Sequence, residues 1–104
     1  MKKYKVYVSE PAENDLRDIV RYISAQLAAP TSAMNMMNDI SQAIENLAEM
    51  PQRFSPVTDE RLRLLGYRKL IVKNYIVFYT IDEPSMAVDV ERILYARRDW
   101  LSII

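Results

Sequence analysis

Tyrosines and arginines crowd the last third of the chain. Tyr67, Arg68 and Lys69 open one apolar run, and Tyr95, Arg97, Arg98 and Trp100 close another. Ordinary strands face water with Thr, Ser, Glu or Lys, whereas phenols and guanidinium forks suit phosphate contacts, base stacking or a hot spot on a partner protein. If the start of the first run and the end of the last lie close together, these side chains share one rim that can clamp phosphates or carboxylates. The other reading is that Tyr67 and Tyr95 cover the edge of the core while the arginines are solvated.

The chemistry available to such a rim is restricted by composition. The chain has no histidine and no cysteine. It therefore lacks the usual neutral-pH acid/base, the commonest nitrogen ligand and any thiolate site. Gly66 is the only glycine, so there is no phosphate-cradling loop. Kinase, NTPase, dehydrogenase and triad-hydrolase readings are excluded, and neither metal nor cofactor is expected. Asp59-Glu60 and Asp82-Glu83 adjoin turns without ligand partners and read as solvated loop charges. Formal net charge is zero, which argues against strong nonspecific polyanion binding. Yet residues 61–73 carry Arg61, Arg63, Arg68, Lys69 and Lys73 with no acid, so a local basic patch survives.

The elements that must hold these residues follow from periodicity. Tyr4, Val6 and Val8 alternate with Lys5 and Tyr7, the period of a strand. Ser9 can cap a helix that has Pro11 in its first turn and Glu10 and Glu13 at its positive end. Ala12, Leu16, Ile19, Val20, Ile23 and Leu27 fall at helical spacing, which carries this helix to about Ala28. Pro30 breaks the pattern, Thr31 or Ser32 can cap a second helix, and its apolar stripe reaches Met50 before Pro51. The two make a helical hairpin. Residues 51–65 read as a loop with one helical turn.

Three strands follow: Tyr67–Val72, Tyr75–Ile81 and Met86–Ala96, with tight connections at Lys73-Asn74 and Asp82–Ser85. Both faces of the middle strand are apolar, so it is expected to be central, with Tyr75 and Tyr79 as packing residues. Parity breaks at Arg92-Ile93-Leu94, where a bulge would restore it. The methionines of the second helix either fill gaps or line a protein-binding groove. The fold class is α+β, with helices packed on one face of a twisted sheet. Length fits a single domain over 1–104, and no run is long enough to span a bilayer. The basic opening lacks an apolar signal region, so a cytoplasmic protein with no membrane partner is expected.

This order of elements, with Gly66-Tyr67-Arg68, Tyr75-Ile76-Val77-Phe78-Tyr79 and Arg92-Ile93-Leu94-Tyr95-Ala96-Arg97-Arg98-Asp99, resembles the RelE/ParE superfamily of bacterial type II toxins (plasmid stabilisation proteins). Ser9-Glu10-Pro11-Ala12 and Met50-Pro51 fit that layout as well. The resemblance implies a growth-inhibiting toxin, neutralised by a cognate antitoxin and touching operator DNA only through it. The superfamily has two activities: RelE-like members cut mRNA on the ribosome, and ParE-like members inhibit DNA gyrase.

RelE-like cleavage implies proton transfer at a ribose hydroxyl beside several cations. Arg68, Tyr95 and Arg97 are the catalytic candidates under that reading. However, Ile76 stands where such toxins commonly carry arginine, Tyr95 where they often carry histidine, and Trp100–Ile104 offers no terminal catalytic tyrosine. The resemblance is therefore closer to the ParE branch, with Arg68, Lys69, Tyr95, Arg97, Arg98 and Trp100 as partner-binding residues. A metal-independent ribonuclease is the alternative, and a non-toxic, antitoxin-binding homologue is the third reading.

Overall fold

The structure, a computed structural model, describes residues 3–104. The first two residues of the basic opening lie outside that range. Strand β1 (Lys5–Val8) alternates between outward and half-buried side chains. It leads into helix α1 (Glu10–Arg21) through Ser9, whose hydroxyl oxygen accepts from the Ala12 N–H at 3.1 Å while its O–H donates to the Glu91 carbonyl at 2.9 Å. One residue thus caps the helix and ties it to the sheet.

From Tyr22 to Gln26 the helix widens into a π-helical turn, so the helical stretch ends close to the expected Ala28. Ala28 itself takes φ +49°, the left-handed conformation that ends many helices. That conformation costs a non-glycine residue about 1–2 kcal/mol. Ala28→Gly should therefore raise stability by about 0.5 kcal/mol, after the larger unfolded-state entropy of glycine is subtracted. Urea denaturation measures it; a lower midpoint would show that the Ala28 methyl packs usefully.

Helix α2 (Pro30–Asn46) begins two residues before the start that a Thr31 cap implies. Pro30 is its first residue, and Ala29 precedes it with no side-chain cap. Neither Thr31 nor Ser32 is needed, because a proline at this position has no N–H to satisfy and its fixed φ already suits a helix. The helix also ends four residues short of Met50: Leu47–Glu49 form a turn, and Met50 is left-handed at φ +51°. A short 3-10 turn (Pro51–Arg53) and helix α3 (Glu60–Leu64), capped by Asp59, fill the expected loop.

Strands β2 (Arg68–Val72), β3 (Tyr75–Asp82) and β4 (Ala87–Tyr95) form the antiparallel meander, and the sheet order is β1-β4-β3-β2. β1 lies parallel to β4, from Lys5 beside Ala87 to Val8 beside Val90, so the helical hairpin is the crossover a parallel pair requires. β3 is central, as its two apolar faces imply. Register shifts between Phe78, opposite Arg92, and Tyr79, opposite Val90. Glu91 is left over as the bulge that the broken parity at Arg92 anticipates.

The bulge keeps Val88, Val90 and Ile93 on one face. There they join Leu70, Tyr75, Val77 and Tyr79 against Ala12, Ile19, Ala33, Ile40 and Ile44 of the hairpin. Leu94 falls on the opposite face with Ile76 and Phe78, packed with Val57 and Leu62 and covered by Tyr67, Trp100, Ile103 and Ile104. Helices α1 and α2 do pack on one face, and α3 with the C-terminal 3-10 turn (Trp100–Ser102) shelters part of the other. No helix among the described residues is long and apolar enough to cross a membrane.

Buried Tyr79 behaves as the packing residue the sequence implies. Its O–H donates to the Pro51 carbonyl at 2.6 Å, and burial pushes the phenol up to about 12, against weaker downward pulls from Arg68 and Arg53. A raised phenol pKa contributes stability that is complete below pH 10 and is lost as pH rises from about 10 to 12. Tyr79→Phe should cost about 1–2 kcal/mol at neutral pH by stranding the Pro51 carbonyl. It should also flatten the alkaline limb of a stability-versus-pH curve; an unchanged limb would mean that Tyr79 does not titrate with unfolding.

Candidate functional site

The expected rim splits in two. Arg68 begins β2 opposite Tyr79, whereas Tyr95 ends β4 opposite Tyr75. Those positions lie four residues apart along β3, about 13 Å at the rise of a strand. The separation is topological: three antiparallel strands run up, down and up, so the first strand starts at one end of the sheet and the third finishes at the other. Arg68 and Lys69 therefore do not meet Tyr95, Arg97 and Arg98.

Arg68 is also engaged locally. Its Nη1 donates to the carbonyls of Gln52 at 3.0 Å and Phe54 at 2.6 Å, pinning the segment after the Pro51 turn onto β2. Lys69 is half-buried opposite Phe78, and its backbone N–H donates to the Ser55 carbonyl at 3.0 Å. Both hold the loop that precedes α3. Trp100 turns inward, its ring 5.1 Å from that of Phe78, which lies opposite Lys69 on β2. Ile76 is buried in the same cluster, so an apolar side chain is what its position requires.

Tyr95, Arg97 and Arg98 remain together, all exposed. Their turn is fixed by three backbone hydrogen bonds: Ala96 N–H to the Asn74 carbonyl at 2.8 Å, Arg98 N–H to Tyr95 at 3.0 Å and Trp100 N–H to Arg98 at 2.8 Å. Neither arginine has a carboxylate within 4.0 Å among the described residues. Beneath Tyr95 opens a cleft of about 650 Å³, walled by α1, its π-helical turn and the ends of β3 and β4. Ile19, Ile23 and Ile93 give it an apolar floor, while Tyr22, Asn74 and Arg98 line its mouth.

Tyr75 stands in the same wall, edge-on to Tyr95 at 5.8 Å between ring centroids. Burial raises the Tyr75 phenol, and the neighbouring phenols of Tyr22 and Tyr95 add to the shift. Tyr22, exposed over half its surface, is the member that sequence reasoning missed. Its signal is an aromatic residue just off the apolar stripe of a helix among polar neighbours.

Other polar groups do structural work. Asp15 clamps Arg92 at 2.7 Å, and Glu91 accepts from the Thr80 hydroxyl at 3.0 Å. Tyr67 is raised chiefly by burial, then by Glu91. No group of three or more Asp or Glu among the described residues could hold a metal ion. The cleft thus offers aromatic faces and one cation, Arg98, beside the carboxylates of Asp15 and Asp18.

A second, shallower groove of about 470 Å³ runs along the hairpin, lined by Val8, Leu16, Val20, Met37 and Ile44 between charged Glu13, Arg17 and Glu45. Met36 packs into the core, whereas Met34 and Met37 are exposed on this side of α2. The methionines thus divide between gap filling and an open surface.

A hairpin on a four-stranded sheet with this connectivity is the fold of known type II toxins. One chain of the chromosomal ParDE toxin-antitoxin system from P. aeruginosa superposes with a TM-score of 0.75 at 16% identity, over 91% of this chain and 98% of that one. A chain of the toxin-antitoxin complex RelBE2 from Mycobacterium tuberculosis gives 0.67 at 19% identity, over 89% and 98%. A search of curated protein sequences finds no match. The profile of the ParE toxin of the type II toxin-antitoxin system parDE matches residues 6–100. The chain belongs to that family, the ParE branch of the RelE/ParE superfamily.

Proposed function

We propose that the chain arrests growth by binding DNA gyrase and is neutralised by a cognate antitoxin. The observation that carries this reading is the dispersal of the cations. RNA cleavage without a metal needs several of them around one phosphate. Here Arg68 is bound to two carbonyls at the opposite end of the sheet from Arg97 and Arg98, and Ile76 is core. What remains is an exposed Tyr95, Arg97 and Arg98 surface, the composition of a protein-binding hot spot.

Support for an antitoxin comes from the two similar structures, both toxin-antitoxin systems. The hairpin groove, apolar between charged rims, suits an amphipathic segment of such a partner. The decisive test is supercoiling by purified gyrase. Saturating toxin should block it, and adding the antitoxin should restore it. Normal supercoiling would overturn the proposal, and codon-phased cuts in mRNA during arrest would replace it with the ribonuclease reading.

A further inference from the structure

The outer edge of β2 is only half covered. Val57 N–H donates to the Tyr67 carbonyl and Lys69 N–H to the Ser55 carbonyl, both at 3.0 Å, so the loop before α3 pairs with the start of this edge strand. Arg68, Leu70 and Val72 therefore turn their backbone groups toward β3, and the residues between them turn theirs outward. Past Lys69 the loop leaves the edge. The N–H and C=O of Ile71 point outward by this parity and form no hydrogen bond among the described residues. The Ile71 side chain is itself 61% exposed. A bare edge with an apolar side chain on it is a template for another strand.

The surroundings of this edge are cationic, since residues 61–73 carry no acid. Lys69 shares the face of Ile71, and neither it nor Arg61 nor Arg63 has a carboxylate within 4.0 Å among the described residues. Carboxylates on the adjoining elements are engaged: Asp39 of α2 with Lys73 at 2.8 Å, Glu91 with the Thr80 hydroxyl at 3.0 Å, and Asp59 as the cap of α3. Glu60, exposed in the first turn of α3, is not enough to balance them. A second copy would bring the same cations to the pair and is repelled, whereas a strand bearing carboxylates is attracted.

Position identifies the source of that strand. Val72 lies opposite Tyr75 and Tyr75 opposite Tyr95, so the bare end of β2 and the rim of Tyr95, Arg97 and Arg98 share one end of the sheet, two strand spacings or about 10 Å apart. The hairpin groove, bordered by Val8 of β1, lies at the other edge. An occupant of the bare edge is continuous with the target rim and not with the antitoxin groove.

We propose that an extended acidic segment of the toxin's protein target adds antiparallel to β2 as a fifth strand. An apolar residue of that segment exchanges both backbone hydrogen bonds with Ile71, and a carboxylate two positions along meets Lys69. The proposal rests on the reading of the chain as a toxin that acts by binding.

The test titrates 15N-labelled toxin with three capped peptides: Glu-Thr-Val-Thr-Glu, Lys-Thr-Val-Thr-Lys, and the acidic peptide with N-methyl-valine at its centre. The first should shift the Ile71 amide, slow its hydrogen exchange and bind about tenfold more tightly than either control. N-methylation removes the donor to the Ile71 carbonyl and leaves the charges in place. Ile71→Pro removes the outward N–H but no bond to β3, and should abolish binding. Lys69→Glu should reverse the preference between the acidic and basic peptides, which a loss of folding cannot imitate. Equal binding of all three peptides, shifts confined to other surfaces, or dimerisation of the toxin through Ile71 overturns the proposal. A supercoiling assay separates it from the choice of target. Undiminished gyrase inhibition by both variants sinks the edge and leaves gyrase as target; edge binding of the acidic peptide with gyrase unaffected by the parent toxin upholds the edge and removes gyrase.

Discussion

Asp15→Ala should lower the unfolding free energy by about 3 kcal/mol, the lower end of the cost of breaking a buried ion pair. The carboxylate accepts three hydrogen bonds: from Arg92 Nε at 2.7 Å, from Arg92 Nη2 at 2.8 Å and from the Ile93 N–H at 3.0 Å. The third exists because β1 is short. It leaves β4 at Val90, so the edge of β4 beyond the bulge has no strand beside it, and α1 supplies the acceptor instead.

Removal of the carboxylate would leave a guanidinium whose side chain is only 24% exposed, and an edge N–H, both without partners. Asp15→Asn keeps one acceptor and should cost about half as much. The Arg92→Ala cost should be smaller than that of Asp15→Ala, because Asp15 then still accepts from Ile93. Urea midpoints at constant slope measure all three. A loss below about 1 kcal/mol for Asp15→Ala would place the clamp among exposed pairs of little worth.

Asp15 also shows what local patterns can and cannot reveal. On the helical wheel it falls on the wet side of α1, and nothing in its neighbourhood announces a partner seventy-seven positions away. The bulge was legible because two apolar faces must alternate and a single residue breaks the count. The central place of β3 was legible for the same reason. Pro30 misled because proline both stops one helix and starts another, and only the path of the chain decides which.

The site divides along the same line. Tyr95, Arg97 and Arg98 are neighbours in sequence and remain neighbours in space. Arg68 was placed with them by residue type, although the parity of a three-stranded meander forbids it. Trp100 reads as an exposed anchor until the second apolar face is recognised; Ile76, Phe78 and Leu94 then require a cover, and Trp100 supplies it. Tyr22 reaches the cleft by way of the π-helical turn, which no periodicity announces.

Arg97→Glu combined with Arg98→Glu should reduce affinity for the target by about a hundredfold while stability stays within about 0.5 kcal/mol of the parent. Both side chains are exposed, and neither forms an internal ion pair among the described residues, so folding has little to lose. At the target each guanidinium that meets a carboxylate would become a like-charge contact. A swing of about 1.4 kcal/mol at each position gives the expected factor. The loss should shrink at high salt, as rim charges are screened.

Trp100→Ala provides the contrast. It uncovers Phe78 and loosens the turn that carries the arginines, so stability and target binding should fall together, with about 2 kcal/mol lost from the fold because the ring is only half-buried. Antitoxin binding through the hairpin groove, on the other side of α1, should survive the arginine reversal, and a pull-down with antitoxin checks it. A doubly reversed toxin that still arrests growth fully would remove the rim from target recognition and leave Arg97 and Arg98 as solvated charges.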